Sequence, residues 1–338
     1  MIKIITVLFI VVLSSAFFVN PCNAQKLHFI RFGGVAQGGT YSISYYSTDS
    51  INYKKEIDSI LNKIDYSLSI YNPQSIISRI NKNEYNVSLD KYFIDNFKKA
   101  IEMAKISDGI FDPTIAPLVN AWGFGFKNKI KLDSTKVDSI KQYVNYKFVK
   151  LENNRLVKAK KEVMLDFNAI AQGYSVDVVG DFLESRNINN YIVEIGGELK
   201  AKGRKENNKY WVAGIERPEA DLNNRKLMAR VELKDKALAT SGNYHKFFIE
   251  NGQKYSHSIN PKTGYPAKNS LLSVTVLADD CFTADSHGTF FMILGKDKTI
   301  EYLKKHKNIQ AYMIYSDDKG NLKTWESEEL KFLILEQK

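Results

Sequence analysis

Cysteine is nearly absent from this 338-residue chain, which carries only Cys22 and Cys281. Cys22 lies in a segment with the features of a cleavable signal peptide, described below, so the mature chain would keep Cys281 alone. A single cysteine cannot form an intramolecular disulfide, even in an oxidising compartment. Stability must therefore come from the apolar core, in which we expect Cys281 to be a small buried residue. With 44% apolar and 25% charged residues, the composition is that of a globular protein able to build such a core.

The chain also lacks a basic tract, an internal repeat and a low-complexity linker. Its formal net charge is +10, from 48 basic and 38 acidic residues, but the lysines are spread along the sequence. Diffuse charge without a recognised binding motif does not support nucleic acid as a partner. It is equally compatible with attraction to anionic small molecules or to membrane surfaces. We expect one large or two intimately packed domains, and take residues 25–338 as a single functional unit.

The N-terminus has the layout of a secretory signal peptide. Lys3 precedes an apolar run at 4–19, and Ala24 offers a small residue before Gln25. The run is shorter than the ~20 apolar residues that a spanning helix needs, which disfavours a retained anchor. We therefore predict a signal peptide at 1–24 and an exported, periplasmic protein. Lipid attachment at Cys22, with inner-membrane association, stays open, although residues 19–21 match a lipobox poorly.

Helices and strands alternate irregularly, which predicts an α+β fold with mixed or antiparallel sheets and packed helices. Helical spacing of apolar residues and polar flanking segments predict helices at 57–68, 93–104, 134–143, 170–186 and around 300–302. Apolar, β-branched and aromatic runs predict strands at 27–32, 41–46, 191–195, 211–215, 226–233 and 309–315, and a hairpin near 152–154.

Segments rich in glycine or other small residues lie between several of these predicted strands. The four glycines within 33–39 allow either a hairpin or close approach of the backbone to a ligand. The pair Gly196-Gly197 is more typical of a β-bulge than of a ligand contact. Segment 237–244 is rich in small residues and is predicted to be a loop leading to the strand that carries His257.

Asp285 and Thr289 are candidates for a metal site. If 284–295 is a helix, the two residues lie four positions apart and therefore on one face. A carboxylate and a hydroxyl are hard oxygen donors that suit Mg²⁺, which keeps few protein ligands and takes the rest from water and phosphate oxygens. His257 is predicted on a strand ended by the turn at 260–264, which would hold its imidazole near the metal. An unperturbed imidazole titrates near pH ~6.5, so it could serve as a base beside a metal-held phosphate.

Two further segments could contribute to a binding site. Segment 108–125 is dense in turn formers and aromatics and could form a binding wall, or it could be a capped helix start with Asp112 as N-cap and Pro113 at the first helical position. Segment 166–174 is predicted to be a strand-to-helix junction, which presents backbone N–H groups to anions. Asp166 there could act only through the helix dipole. Tyr71 precedes a turn and could stack on a ligand ring or pack within the protein.

The histidines have plain structural interpretations as well. Without its context, His257 would more often be a strand histidine whose hydrogen bonds are satisfied. His287 lies two residues from Asp285 and would point away from it on a helix, so we expect it at the surface or behind the metal ligands.

Together these motifs resemble one family, the ApbE-type FAD:protein FMN transferases. The resemblance extends from about residue 28 to about residue 330. It rests on separate motifs in the expected order: Gly38-Gly39-Thr40, Ser69-Ile70-Tyr71 with Ile80-Asn81, Asp108-Gly109 through Trp122-Gly123-Phe124-Gly125, 166–173, Gly196-Gly197, Ser241-Gly242-Asn243, 256–261 with Thr263-Gly264, and Ala284-Asp285 with Thr289.

The resemblance implies a Mg²⁺-dependent enzyme of the ApbE-like flavin transferase fold. Such an enzyme binds FAD and transfers its FMN half to a threonine or serine hydroxyl of an exported acceptor protein, releasing AMP. The family pattern implies Asp285, Thr289 and the backbone carbonyl of Ala169 as metal ligands. It also implies FAD contacts at Gly38, Tyr71, Ile110, Phe111, Asp112, Asp166, Gln172 and Ile259. The acceptor hydroxyl must also lose a proton, and His257 is the catalytic base that acid–base chemistry favours.

The sequence departs from the family pattern at two of these positions. Gln172 stands where many relatives carry lysine, so an amide replaces a cationic phosphate contact. Gly38 stands where methionine is common, so it offers no side-chain contact. Two other functions stay open: a Mg²⁺-dependent FAD pyrophosphatase that yields FMN and AMP, and a non-catalytic exported flavin-binding protein. The identity of the acceptor and the oligomeric state, including a homodimer, are not encoded in a motif.

Overall fold

The computed structural model of the protein describes residues 26–125, 132–218, 226–243, 247–250 and 253–337. The predicted signal peptide and Cys22 lie outside these residues. Among the helices of the described part, none combines the length and the apolar character needed to cross a membrane.

Fifteen strands are described, in sheets whose neighbouring strands are all antiparallel. Their bounds are β1 His28–Ala36, β2 Gly39–Ser47, β3 Val149–Glu152, β4 Arg155–Lys158, β5 Asn190–Ile195, β6 Glu198–Lys202, β7 Trp211–Glu216, β8 Leu227–Leu233, β9 Ala237–Gly242, β10 Phe247–Glu250, β11 Gln253–Ser256, β12 Leu271–Ala278, β13 Gln310–Ser316, β14 Leu322–Glu326 and β15 Ile334–Gln337.

One eight-stranded sheet organises the molecule, with strand order β1-β2-β5-β6-β9-β12-β13-β14. A three-stranded sheet, β15-β8-β7, and two hairpins, β3-β4 and β10-β11, complete the described strands. Helices and antiparallel sheets are mixed without regular alternation, so the predicted α+β class is confirmed.

The described helices carry most of the site that follows. Their bounds are α1 Lys54–Leu68, α2 Ile76–Asn81, α3 Lys91–Ile106, α4 Ala116–Ala121, α5 Ser134–Lys141, α6 Ala171–Ser185, α7 Cys281–Leu294, α8 Lys296–Lys305 and α9 Glu328–Lys331, with a 3₁₀ turn at Tyr146–Phe148.

Helix α7 packs against both the large sheet and helix α6. Asp280 caps its N-terminus by accepting a hydrogen bond from the Thr283 N–H at 2.7 Å, an interaction worth about 1 kcal/mol. The helix packs on β9 and β12 on one side and against α6 on the other. Its residues are therefore apolar or small around most of its circumference, as expected for a buried helix. Cys281 is fully buried at its start, as predicted.

Two local predictions about segments rich in glycine or other small residues are corrected by the structure, and the hairpin alternative for 33–39 is confirmed. Segment 237–242 is strand β9, placed between β6 and β12 in the large sheet, and not a loop. Its small side chains leave the space that α7 occupies. Gly196-Gly197 is the tight turn between β5 and β6, and not a bulge, because both glycines have positive φ. Strand β1 continues through the first two glycines of 33–39, so the turn there is only Gln37-Gly38.

Candidate active site

A cleft of about 350 Å³ opens beside α7 and collects residues from segments distant in sequence. A larger and more open hollow lies on α1 near Asp58, but it contains no predicted site residue. The cleft is lined by Tyr71, Ile110, Phe111, Asp112, Ile115, Val119, Phe124, Asp166, Asn168, Ala169, Gln172, Gly196, Glu198, Thr240, Ser241, Gly242, His257, Ser258, Ile259, Pro261, Asp285, Thr289 and Ile293.

Asp285 and Thr289 both face this cleft from α7, one helical turn apart. The helix predicted for them therefore exists, although it begins at Cys281 and not at residue 284. Asp285 is only 6% exposed, and one carboxyl oxygen, Oδ2, accepts a hydrogen bond from the Gly173 N–H at 3.0 Å. Burial raises the pKa of Asp285 to about 7, because a carboxylate removed from water is destabilised relative to the neutral acid.

Ala169 reaches the same cleft from the junction that precedes α6. The junction is held by backbone contacts, since the Asp166 N–H donates to the Pro113 carbonyl at 2.9 Å and the Asn168 N–H donates to Asp166 Oδ1 at 2.8 Å. The structure thus brings the three predicted metal ligands to one cleft. A carboxyl, a hydroxyl and a carbonyl are all hard oxygen donors, which fits Mg²⁺. Within the described ranges, no group of three His, Cys, Asp or Glu side chains offers another metal site.

His257 lines the same cleft from the bend that directly follows β11, so the strand predicted to carry it ends one residue earlier, at Ser256. The turn after it is tied to α4, because Trp122 Nε1–H donates to the Gly264 carbonyl at 2.9 Å. Phe124, two residues beyond Trp122, meets the imidazole edge to face with ring centroids 6.3 Å apart. The segment after α4 therefore positions both the histidine ring and the turn that follows it.

Ile110, Phe111 and Asp112 line the cleft as predicted, but Asp112 does not cap a helix. Helix α4 begins four residues later, at Ala116. Asp112 instead accepts from the Thr114 N–H and from the Tyr146 N–H, both at 2.8 Å, and so stabilises a buried turn. Burial raises the pKa of its carboxyl, and these hydrogen bonds partly oppose that effect. The turn presents the apolar side of the cleft, which continues along Ile115, Val119, Phe124 and Ile259.

Tyr71 stands at the rim, where 59% of its surface is exposed while the residue still lines the cleft. The ring is therefore accessible to a ligand, as stacking on a ligand ring would require. Asp166 and Asn168 lie in the same wall of the cleft.

Gln172 enters the cleft from the first turn of α6 and lies against Gly196. A Cβ built on Gly196 would come within 2.2 Å of the Gln172 amide nitrogen. Gly38 is not among the residues that line the cleft. Its neighbour Gly39 lies against Gly196, since a Cβ on Gly39 would be 3.5 Å from the Gly196 Cα atom.

Sequence reasoning missed the part of the site that β6 and β9 supply. Glu198, Thr240 and Ser241 line the cleft, and Glu198 is buried. The segments around Gly196-Gly197 and Ser241 carry family motifs, but only sheet pairing brings their strands beside α7. Of the two locations expected for His287, the surface and a position behind the proposed metal ligands, the structure excludes the surface, because the residue is only 3% exposed. Its ring contacts the Thr283 carbonyl at 2.8 Å and the Tyr302 hydroxyl at 3.2 Å, and burial lowers its pKa to about 4.

Comparison with known proteins gives a consistent result. The family model described as "ApbE family" matches residues 37–313. A curated relative from Haemophilus influenzae, named FAD:protein FMN transferase, is 34% identical over 92% of this chain and 93% of its own length. A relative of the same name from Vibrio cholerae is 34% identical over 92% of this chain and 94% of its length.

Solved structures agree with the sequence matches. The flavin transferase ApbE from Vibrio cholerae superimposes with a TM-score of 0.80 at 32% identity, covering 91% of this chain and 100% of that one. The apo flavinyl transferase ApbE from Pseudomonas stutzeri gives a TM-score of 0.80 at 30% identity, covering 91% and 97% of the two chains.

Proposed function

The chain belongs to the ApbE family, whose curated relatives are named FAD:protein FMN transferases, and we propose that it transfers FMN from FAD to a protein in a Mg²⁺-dependent reaction. The acceptor group is a threonine or serine hydroxyl of an exported protein, and the other product is AMP. Flavin transfer is the activity for which these relatives are named. The metal, the hydroxyl acceptor and the release of AMP are the further content of the proposal.

The observation that carries the proposal is the convergence on one cleft of a hard-oxygen ligand set and a histidine. Asp285 and Thr289 come from α7, Ala169 from the start of α6, and His257 from the bend after β11. A binding protein for flavin would need an apolar wall and polar contacts, but not this combination. Breaking a pyrophosphate, in contrast, needs charge neutralisation and a group that accepts the proton of the attacking hydroxyl.

The donors around Asp285 fit Mg²⁺. Its carboxyl is almost fully buried, and one of its oxygens is held by the Gly173 N–H. A divalent cation is the type of partner that would keep such a buried carboxyl ionised. Asp285, Thr289 and the Ala169 carbonyl would hold the ion, and bound Mg²⁺ would neutralise negative charge on the pyrophosphate oxygens.

The remaining chemistry falls to the chain's own residues. The acceptor oxygen forms a bond to the phosphorus on the FMN side, and the bond from that phosphorus to the bridging oxygen breaks, so AMP leaves with that oxygen. The proton of the acceptor hydroxyl moves to a ring nitrogen of His257, which Phe124 orients. Ile110 and Phe111 supply apolar contact for the flavin end of FAD, and the exposed Tyr71 ring covers the rim. The dipole of α6 favours anions at its N-terminus, where the FAD phosphates would bind. The Gln172 amide, in the first turn of α6, would contact them there.

The proposal also includes export, with residues 1–24 as a signal peptide and a periplasmic site of action. Membrane association through a lipid on Cys22 is an extension of it. Both rest on the sequence, and mass spectrometry of the protein purified from cells would identify the mature N-terminus and any lipid.

The experiment that tests the function is a defined reaction followed by mass spectrometry. The mature chain is mixed with FAD, Mg²⁺ and a purified threonine-bearing acceptor, and the acceptor and small molecules are both analysed. A gain of one FMN on the acceptor together with free AMP supports the proposal. Free FMN and AMP with an unchanged acceptor would indicate a pyrophosphatase, and unchanged FAD would indicate binding alone. Omission of Mg²⁺ in the presence of EDTA is the control for metal dependence.

A further inference from the structure

Helices α6 and α7 are joined by two reciprocal contacts one helical turn apart. At the first, the Gly173 N–H of α6 donates to Asp285 Oδ2 of α7 at 3.0 Å. At the second, Asp177 of α6 accepts from the first two N–H groups of α7, those of Cys281 at 3.1 Å and Phe282 at 2.8 Å. Each helix thus binds the other through backbone N–H groups, one from α6 and two from α7, and through one carboxylate.

The helices approach each other closely at the first contact. A Cβ on Gly173 would lie 2.5 Å from the Cys281 carbonyl oxygen and 2.6 Å from the Asp285 Cβ. Such distances leave no room for a side chain, so α6 and α7 meet backbone to backbone at this point. Moving four residues along α6, from 173 to 177, corresponds to moving four residues back along α7, from 285 to 281. The pair of contacts therefore determines the relative position of the two helices along their axes as well as their separation.

This helix pair determines where the proposed metal ligands stand relative to each other. Ala169 lies two residues before α6 begins, whereas Asp285 and Thr289 lie on α7. No single element carries all three. A shift of α7 along α6 would move the carboxyl and hydroxyl away from the carbonyl, and a metal site depends on ligand positions at the level of a few tenths of an ångström.

Asp177 is the side chain that holds the second contact, and it is itself supported. Its carboxylate is 15% exposed and forms an ion pair with Lys200 of β6, with 3.1 Å between Nζ and Oδ1. Oδ1 also accepts from Cys281 and Oδ2 accepts from Phe282, so both oxygens are used. Lys200 is two residues from the cleft residue Glu198, so the ion pair also links the helices to the strand beside the cleft.

We infer that Asp177 is a positioning residue for the metal site, acting through α7 without touching metal or substrate. The inference rests on the proposed function, because it assumes that Asp285, Thr289 and Ala169 bind Mg²⁺. Residues that orient metal ligands from outside the ligand set commonly change metal affinity by about 10- to 100-fold when they are altered.

The test is the Mg²⁺ affinity of Asp177→Asn. The amide keeps the shape of the carboxylate, but its NH₂ group must face another donor: the Phe282 N–H in one orientation, or both the Cys281 N–H and the Lys200 ammonium in the other. A second variant, Lys200→Gln, leaves the Asp177 carboxylate in place and removes only its ion-pair partner. The Mg²⁺ concentration that gives half of the maximal thermal stabilisation is measured on the mature chain, with FAD present and acceptor absent.

Glu184→Gln is the matched control. Glu184 also lies on α6, pairs with a lysine of β6, Lys202, at 2.6 Å, and accepts from the Tyr191 hydroxyl at 2.8 Å. The Glu184→Gln variant makes the same acid-to-amide change, also on an ion pair between α6 and β6, but neither partner of Glu184 lies on α7.

The expected result is an Mg²⁺ midpoint raised about 10-fold or more in Asp177→Asn. A smaller rise in the Mg²⁺ midpoint is expected in Lys200→Gln and no change in Glu184→Gln, even if both substitutions lower the melting temperature. An unchanged midpoint in Asp177→Asn, with a lower melting temperature like that of Glu184→Gln, would overturn the inference and leave the proposed function intact. If the unaltered chain shows no response to Mg²⁺, the proposed metal site fails, and the inference fails with it.

Discussion

Replacing Gly196 by alanine should weaken FAD binding while the protein stays folded. The residue has φ of +68°, and a Cβ there would lie 2.2 Å from the Gln172 amide nitrogen. The left-handed conformation costs an alanine about 1–2 kcal/mol. Each kcal/mol lowers the melting temperature by roughly 2–4 °C in domains of about 150–250 residues, and by less in this longer chain. Gln172 is a flexible side chain and can move aside, so the collision itself should add little to that cost.

The displaced glutamine is what should change function. A hydrogen bond to a charged group is worth about 1.5–3 kcal/mol, so losing the proposed contact with the FAD phosphates should raise the KM for FAD about 10- to 150-fold. Initial rates at varied FAD, with saturating acceptor and Mg²⁺, measure this directly. Differential scanning fluorimetry measures the accompanying loss of stability.

Gly197→Ala is the matched control, because Gly197 has φ of +109° and nothing lies within 4 Å of its hypothetical Cβ. It should lose stability without a comparable change in the KM for FAD. Gln172→Ala should reproduce the loss in FAD binding, and adding Gly196→Ala to it should raise the KM no further. Equal KM values for the two glycine variants, or a further rise in the double variant, would refute the assignment of Gln172.

Three other predictions concern the catalytic groups. His257→Ala should keep FAD binding, measured by flavin fluorescence, and lose ~100-fold or more of the transfer rate; near-normal transfer would remove its role as base. Asp285→Ala should abolish turnover in an AMP-release assay even in excess Mg²⁺, and full activity would contradict the metal assignment. Burial raises the pKa of Asp285 to about 7, so below that pH the carboxyl must lose a proton when Mg²⁺ binds. The Mg²⁺ affinity, measured by calorimetry, should therefore fall about tenfold for each pH unit between pH ~7 and pH ~5. A pH-independent Mg²⁺ affinity would refute this reasoning. In the metal-free protein, the contribution of the Asp285 carboxyl to the stability of the fold is complete below its ordinary pKa of 3.8 and is lost as the pH rises through about 7.

The features that could be predicted from sequence are those that depend on local spacing. Asp285 and Thr289 share a face because an α-helix repeats every 3.6 residues, and this holds wherever the helix is placed. The helix at 171–185 and the strands at 190–195, 211–216 and 227–233 follow in the same way from apolar periodicity and agree with the predictions to within a few residues, whereas strand β6 at 198–202 is not predicted. The α+β class also follows, since it depends on the order of the elements.

The errors arose where the tertiary structure overrode a local pattern. Segment 237–242 has the small residues typical of a loop, but it forms a strand between β6 and β12, where its small side chains allow α7 to pack against it. Asp112 and Pro113 have the spacing of a helix start, yet the backbone N–H of Tyr146, 34 residues away, binds the carboxylate and holds a turn.

Residue types and their local spacing specify the kinds of chemical group in the site and the helices and strands that carry them. Tertiary structure decided which of them meet. The Gly173 N–H reaches Asp285 across 112 residues of chain, and the Trp122 indole reaches the turn after His257 across 142. The shift in the Asp285 pKa is equally non-local, because it comes from burial by α6 and the large sheet. Such contacts depend on how helices and strands pack, and residue spacing along the chain carries no record of that packing.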